Sequence, residues 1–144
     1  MIEFTIYGDP VAQGRPKFST AGGFPRAYDP KKSRDFKDYV KLAASEHAPD
    51  ELITEPLRLE VTFYRQMPKS FSKKKAVEAE EGRLLPVTKP DIDNYLKAVK
   101  DALNGVVWRD DSYVTDVVMS KRYSNKPRIE NNATRPQRHG GKVL

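Results

Sequence analysis

Two acidic pairs and one lysine carry the strongest chemical signal in the chain. They lie between Lys89-Pro90-Asp91-Ile92-Asp93-Asn94-Tyr95-Leu96-Lys97 and, after Lys100-Asp101-Ala102-Leu103-Asn104-Gly105, the pair Asp110-Asp111. Asp91 and Asp93 flank a predicted helix start. Asp93, Lys97 and Asp101 recur at i, i+4 and i+8, which puts Asp93 and Lys97 on one helical face. If the chain doubles back after Gly105, Asp110 and Asp111 join them, and three or four carboxylates converge. Each carboxylate then opposes its neighbours' ionisation. A hard divalent cation relieves that repulsion, and Mg²⁺ takes a few carboxylates together with water and phosphate oxygens. Such a site activates water and stabilises the leaving oxygen of a phosphodiester. A lysine one turn from the acids is placed to hold the scissile phosphate. The plainer alternative is capping at the helix start, a surface pair Asp93–Lys97 worth ~0.3–0.5 kcal/mol, and a turn at Asp110-Asp111-Ser112. Asp-x-Asp by itself does not separate the two.

The elements that must position these groups follow from periodicity. Ile2–Tyr7 alternates and is β-prone, ending at Gly8-Asp9-Pro10. Residues 11–28 read as a long loop carrying Arg15, Lys17 and Arg26. Asp29-Pro30 suits the N-cap and first position of a helix whose stripe is Phe36, Tyr39, Val40, Ala43 and Ala44, stopped by Pro49. Leu57, Leu59, Val61 and Phe63 alternate along a strand through Arg65. The polar, lysine-rich residues 67–90 predict a mobile arm, with a short helix from the Ser72 cap through Glu80 to Gly82. Ile92, Leu96, Val99 and Leu103 stripe the second main helix, which stops at Asn104-Gly105. Tyr113 to Tyr123 is strand-like, Asn125-Lys126-Pro127 is a turn, and Arg128-Ile129-Glu130 starts a short return strand. The expected fold class is α+β, a small mixed sheet with two main helices on one face. The expected division is a domain over 1–130 and a basic, disordered tail over 131–144.

Composition removes several classes of function. The 144 residues include no Cys, which excludes disulfides, thiolate catalysis and cysteine zinc sites. No run approaches 18 apolar residues, so no membrane span is expected. The start lacks signal-peptide regions, so a cytoplasmic protein is expected. The charge is +6, and the last 24 residues hold seven of the 26 basic and one of the 20 acidic residues, leaving 19 of each before them. The excess therefore belongs to the C-terminal end, and the body is neutral overall. A basic excess suggests a polyanion partner without proving one.

The longer string is specific. Lys89-Pro90-Asp91-Ile92-Asp93-Asn94, then Leu96-Lys97, then Asp101-Ala102-Leu103-Asn104-Gly105, then Asp110-Asp111-Ser112, resembles the RusA family of Holliday junction resolvases. Gly14-Arg15-Pro16-Lys17-Phe18, Tyr28 with Pro30, and the arm Pro68-Lys69-Ser70-Phe71-Ser72-Lys73-Lys74-Lys75 extend the likeness, the arm being similar to phage and prophage members. The resemblance runs in order from about residue 3 to residue 130. It implies a homodimeric endonuclease that needs Mg²⁺, one or two per subunit with Mn²⁺ as a substitute, and resolves four-way DNA junctions by paired symmetric nicks in recombination and repair. It implies that Asp91, Asp93 and Asp111 bind the metal, that Lys97 is functionally important, and that Asp110 supports them. The implied products carry 5′-phosphate and 3′-hydroxyl ends, and the setting is the cytoplasm of a bacterial or phage-infected cell. A twofold protein presents two identical sites to a nearly twofold junction. The polar, basic end departs from the family pattern, in which a last apolar strand closes the chain.

Arg15, Lys17, Lys73, Lys74, Lys75, Lys89 and Lys97 are the candidate DNA contacts, each with a solvated basic surface as the alternative. Phe71 offers a ring for an unpaired base, although a lone aromatic on an arm is more often a packing anchor. Trp108 is expected to pack at the corner after the helix and to hold Asp111. His47 and His139 have no expected chemistry. A non-catalytic junction-binding protein is the main rival. Three acids facing DNA argue against it, because they repel phosphate unless a cation intervenes. A nucleotide-dependent phosphoryl-transfer enzyme is a second rival, opposed by the lack of a Walker-type glycine loop, so no nucleotide cofactor is expected.

Overall fold

A computed structural model describes residues 1–14, 17–19, 26–28 and 31–137. Arg15, the Asp29-Pro30 helix opening and His139 lie outside the described residues. Ten elements follow in order. They are β1 (Ile2–Tyr7), β2 (Lys17–Ser19), β3 (Arg26–Tyr28), α1 (Lys31–Ser45), β4 (Leu57–Gln66), α2 (Lys73–Glu80), α3 (Ile92–Leu103), a 3-10 turn (Asp111–Tyr113), β5 (Val114–Ser124) and β6 (Arg128–Thr134). The main sheet runs β1-β6-β4-β5. β6 is antiparallel to both β1 and β4, and β5 is parallel to β4. The expected α+β class stands, the short arm helix joins the two main ones as expected, and a separate two-stranded β2–β3 sheet is added.

Alternation decides which sheet face is covered. Leu57, Leu59, Val61 and Phe63 of β4, Phe4 and Ile6 of β1, and Ile129 and Ala133 of β6 are buried in one cluster with Val40 and Ala44 of α1 and Val99 and Leu103 of α3. Tyr95 stacks on Phe63 with ring centroids 5.3 Å apart. The α3 stripe is rotated from the one expected. Tyr95, Ala98, Val99, Ala102 and Leu103 are buried, whereas Ile92 and Leu96 are only half-buried. The two alanines, being small, sit fully buried where α3 packs closely, and Leu96 is left at the border of the exposed face.

Three expectations are corrected. Residues 11–28 are not all loop, because Lys17–Ser19 pairs with Arg26–Tyr28. In the sequence, the β-prone Phe18 and Tyr28 flank Gly22-Gly23, a turn signal. Residues 131–134 are not a disordered tail but the second half of β6, the strand between β1 and β4. The segment is polar in composition, yet Asn131 and Ala133 alternate inward and are each 1% exposed. The C-terminal charge is therefore not a tail property, since Lys121 and Arg122 stand on β5, Lys126 in the β5–β6 turn and Arg128 on β6. Residues 138–144 lie outside the described residues.

The arm is also docked rather than free. Ser72 caps α2, its hydroxyl accepting the Lys75 N–H at 3.2 Å, and Gly82 takes φ +79° after it, as expected from sequence. Ala79 of α2 is buried, and Glu80 Oε1 accepts from the Ser124 hydroxyl at 3.1 Å and the Asn125 N–H at 3.3 Å. Phe71 meets Tyr123 edge to face at 5.3 Å, the packing role rather than the stacking one.

Candidate functional site

Two parallel strands need a long crossover, and the crossover from β4 to β5 holds the acidic constellation. Asp91 is the N-cap of α3, with extended backbone at φ −67° and ψ 149°. An Asp there ordinarily accepts an N–H from the first turn. This one makes no side-chain cap bond, so its exposed carboxylate is free of its own helix. Asp93 stands in the first turn, where the positive end of the helix dipole favours a negative charge. Lys97 follows one turn later, and both are exposed.

The chain does double back. Leu103 O accepts the Val106 and Val107 N–H groups, and Gly105, at φ +79°, supplies the left-handed conformation that the reversal requires. Ile53 pins the returning strand, its N–H donating to Val107 O and its carbonyl accepting from Arg109, both at 3.0 Å. Trp108 is fully buried, and its Nε1–H donates to Asp111 Oδ1 at 2.8 Å. Asp110 caps the short 3-10 turn by accepting the Ser112 N–H at 2.9 Å, and hydrogen bonding from the Ser112 side chain, together with that N–H, holds its carboxyl below the usual carboxylate range. These contacts set Asp111, half-buried, beside the exposed face of α3.

One cleft of about 180 Å³ results, lined by Asp93, Leu96, Lys97, Lys100, Asp101 and Asp111. The expected Asp93, Lys97 and Asp111 meet there. Asp91 stands at the helix start and is not part of that lining, and Asp110 faces solvent. Among the described residues no three Asp, Glu or His side chains are gathered closely enough to enclose a metal ion. Two cleft residues are not among the expected site residues, although Asp101 continues the Asp93–Lys97 spacing. Lys100 adds a second cation, and Asp101 pairs with Lys37 of α1 at 3.2 Å. The i+7 spacing of Lys100 from Asp93 was the available signal, whereas Lys37 comes from a different helix.

The remaining candidate DNA contacts are spread over the surface. Lys73, Lys74 and Lys75 are exposed on α2, and Lys89 is exposed just before α3. Lys17 lies on β2. His47 stacks on Phe4 at 5.8 Å. No helix among the described residues is long and apolar enough to cross a membrane.

Comparison with known proteins identifies the family. The protein YqaN of Bacillus subtilis (strain 168), itself uncharacterized, is 55% identical over 131 residues, covering 90% of this chain and 92% of that protein. The profile of the family described as Endodeoxyribonuclease RusA matches residues 7–131, a span that contains the whole acidic constellation, all of β4 and β5 and the first half of β6. The chain belongs to the RusA endodeoxyribonuclease family.

Proposed function

We propose that this chain is a Mg²⁺-dependent, structure-specific endodeoxyribonuclease that cuts four-way DNA junctions by paired nicks, working as a homodimer. The observation that carries the reading is the convergence of Asp93, Lys97 and Asp111 on one cleft beside an N-cap aspartate that does not cap. The donor set suits the cation in chemical kind, and its side chains would draw closer than they stand here to enclose it. Its oxygens are all carboxylate, the ligand class Mg²⁺ takes, and the Asp91 carboxylate is uncommitted. Asp91, Asp93 and Asp111 would hold the metal, which when bound supplies charge neutralisation and water activation for phosphodiester hydrolysis.

The chain's own residues do the rest. The Lys97 ammonium donates to a non-bridging phosphate oxygen, and Lys100 adds positive charge on the same wall. Trp108 holds one Asp111 oxygen and leaves the other for the site. Asp110 keeps the turn beneath Asp111 closed. Lys73, Lys74 and Lys75 provide exposed charge for the DNA backbone outside the cleft. The biological setting that fits is recombination and repair of branched DNA.

The test is cleavage of four-way, flap and linear duplex DNA with and without Mg²⁺. Cutting of the four-way junction only when Mg²⁺ is added, lost in Asp91→Asn and Asp93→Asn while junction binding persists, is the expected result. Full activity in those variants refutes the assignment, and junction binding with no cutting in any metal favours a non-catalytic binder.

A further inference from the structure

The apolar stripe of β4 does not end in an apolar residue. Leu57, Leu59, Val61 and Phe63 face the core, and the next position on that face is Arg65. On the neighbouring β5 the residue opposite Phe63 is Lys121, flanked on its face by Met119 and the buried Tyr123. Two adjacent strands thus place cations where the sheet pattern calls for apolar side chains, a break in local rules that marks function more often than stability.

Both cations reach the same short piece of backbone. Arg65 Nη1 donates to Thr88 O at 3.1 Å and Nη2 to Lys89 O at 3.2 Å. Lys121 Nζ donates to Thr88 O at 3.0 Å and to Pro90 O at 3.1 Å. Three consecutive carbonyls, those of Thr88, Lys89 and Pro90, are therefore bound by charged donors. They are the last three residues before Asp91. The stretch from Glu81 to Pro90 has no helix or strand of its own, so these charged donors help set the direction from which the chain enters α3. Charge-assisted hydrogen bonds are shorter and stronger than neutral ones, and paired strands are a rigid base for them.

We propose that Arg65 and Lys121 are positioning residues for Asp91: by clamping the three preceding carbonyls to the sheet, they aim a carboxylate that its own helix does not hold. This rests on the reading of Asp91 as a metal ligand. Neither cation lines the cleft of Asp93, Lys97 and Asp111. A ligand held in place from outside the coordination shell loses affinity when that support is removed, typically 10–100-fold. The loss falls on metal binding and is recovered at high metal concentration, which a general loss of structure does not mimic.

The test uses Tb³⁺ alone as the probe, with luminescence sensitised by Trp108, the sole tryptophan of the chain. Lys121→Met and Arg65→Met are compared with Asp91→Asn and the parent, all checked for fold by circular dichroism and melting temperature. The expected result is a half-saturating Tb³⁺ concentration raised about tenfold in each clamp variant, a matching rise in the Mg²⁺ requirement for cutting, and kcat at saturating Mg²⁺ within about threefold of the parent. Lys121→Arg, which keeps a charged donor, restores most of the affinity. If a methionine variant does not fold, Lys121→Gln and Arg65→Lys take its place, and the same shift, smaller for Arg65→Lys, is expected. Parental Tb³⁺ and Mg²⁺ midpoints in folded clamp variants, with a large shift in Asp91→Asn, overturn the positioning role. Parental behaviour of Asp91→Asn shows instead that Asp91 is not a ligand, and the positioning role falls with it.

Discussion

The Trp108–Asp111 contact offers a quantitative test of how the third carboxylate is held. The indole N–H is fully buried and donates to Asp111 Oδ1 at 2.8 Å, while Asp111 itself is half-buried. Hydrogen bonds to a charged partner are worth about 1.5–3 kcal/mol. Water reaches Asp111, which screens part of that, so a coupling of about 1–1.5 kcal/mol is expected. Single substitutions overstate it. Trp108→Phe also loses packing in the core, and Asp111→Ala strands a buried N–H, each adding its own cost. A double-mutant cycle of Trp108→Phe and Asp111→Ala by urea unfolding removes those terms. Cutting supplies a second readout, in which Trp108→Phe raises the half-saturating Mg²⁺ concentration about tenfold. A coupling below about 0.3 kcal/mol, inside the usual additivity error, refutes the reasoning, because the two groups then act independently.

Other outcomes follow from the same structure. Lys73, Lys74 and Lys75 are exposed, so their joint replacement by Ala leaves the melting temperature unchanged. If each contacts one phosphate, the slope of log K for junction binding against log salt becomes shallower by about 0.9 per lysine, and an unchanged slope removes them from the interface. A chain ending after Thr134 folds and keeps Mg²⁺-dependent cutting, with weaker binding at low salt. A chain ending after Glu130 loses Asn131 and Ala133 from a strand paired on both sides and melts at much lower temperature, and equal stability of the two truncations contradicts the assignment of β6. Burial raises the Tyr95 phenol above its usual value, against the opposing effect of Arg65, with Asp9 adding to the rise. The unfolded chain then loses that proton first, so this contribution is complete below about pH 10 and is lost as pH rises through the folded value. Urea unfolding between about pH 9 and 11 is expected to show a shallower alkaline loss in Tyr95→Phe than in the parent.

Local chemistry made much of this protein legible from its residues. The strict alternation of Leu57 to Phe63 needs no partner to be recognised, since period two follows from the pleat itself. Ser72 and Gly82 announce both ends of α2 by capping chemistry that acts within one turn. The acidic string and its relation to a known family are likewise written in adjacent residues. Where local pattern and tertiary context disagree, the sequence misleads. Arg128 to Thr134 is too polar to read as a full central strand, yet between β1 and β4 only its inward residues meet the core. The lysine-rich arm looked free because its helix has little apolar surface, but Phe71 and Ala79 suffice once Tyr123 is opposite them.

The site divides along the same line. Residue types and spacing determined that Asp93 and Lys97 share a face, because a helix repeats every 3.6 residues whatever surrounds it. Whether Asp111 joins them depended on the return of the chain over Ile53, and whether Asp91 caps its helix or stays free of it depended on the folded surroundings. Both are properties of the packed chain. The partners that hold the site, Lys37 on α1, Arg65 on β4 and Lys121 on β5, come from elements distant in sequence from α3. No local period relates them to the aspartates, so only the tertiary structure assembles them.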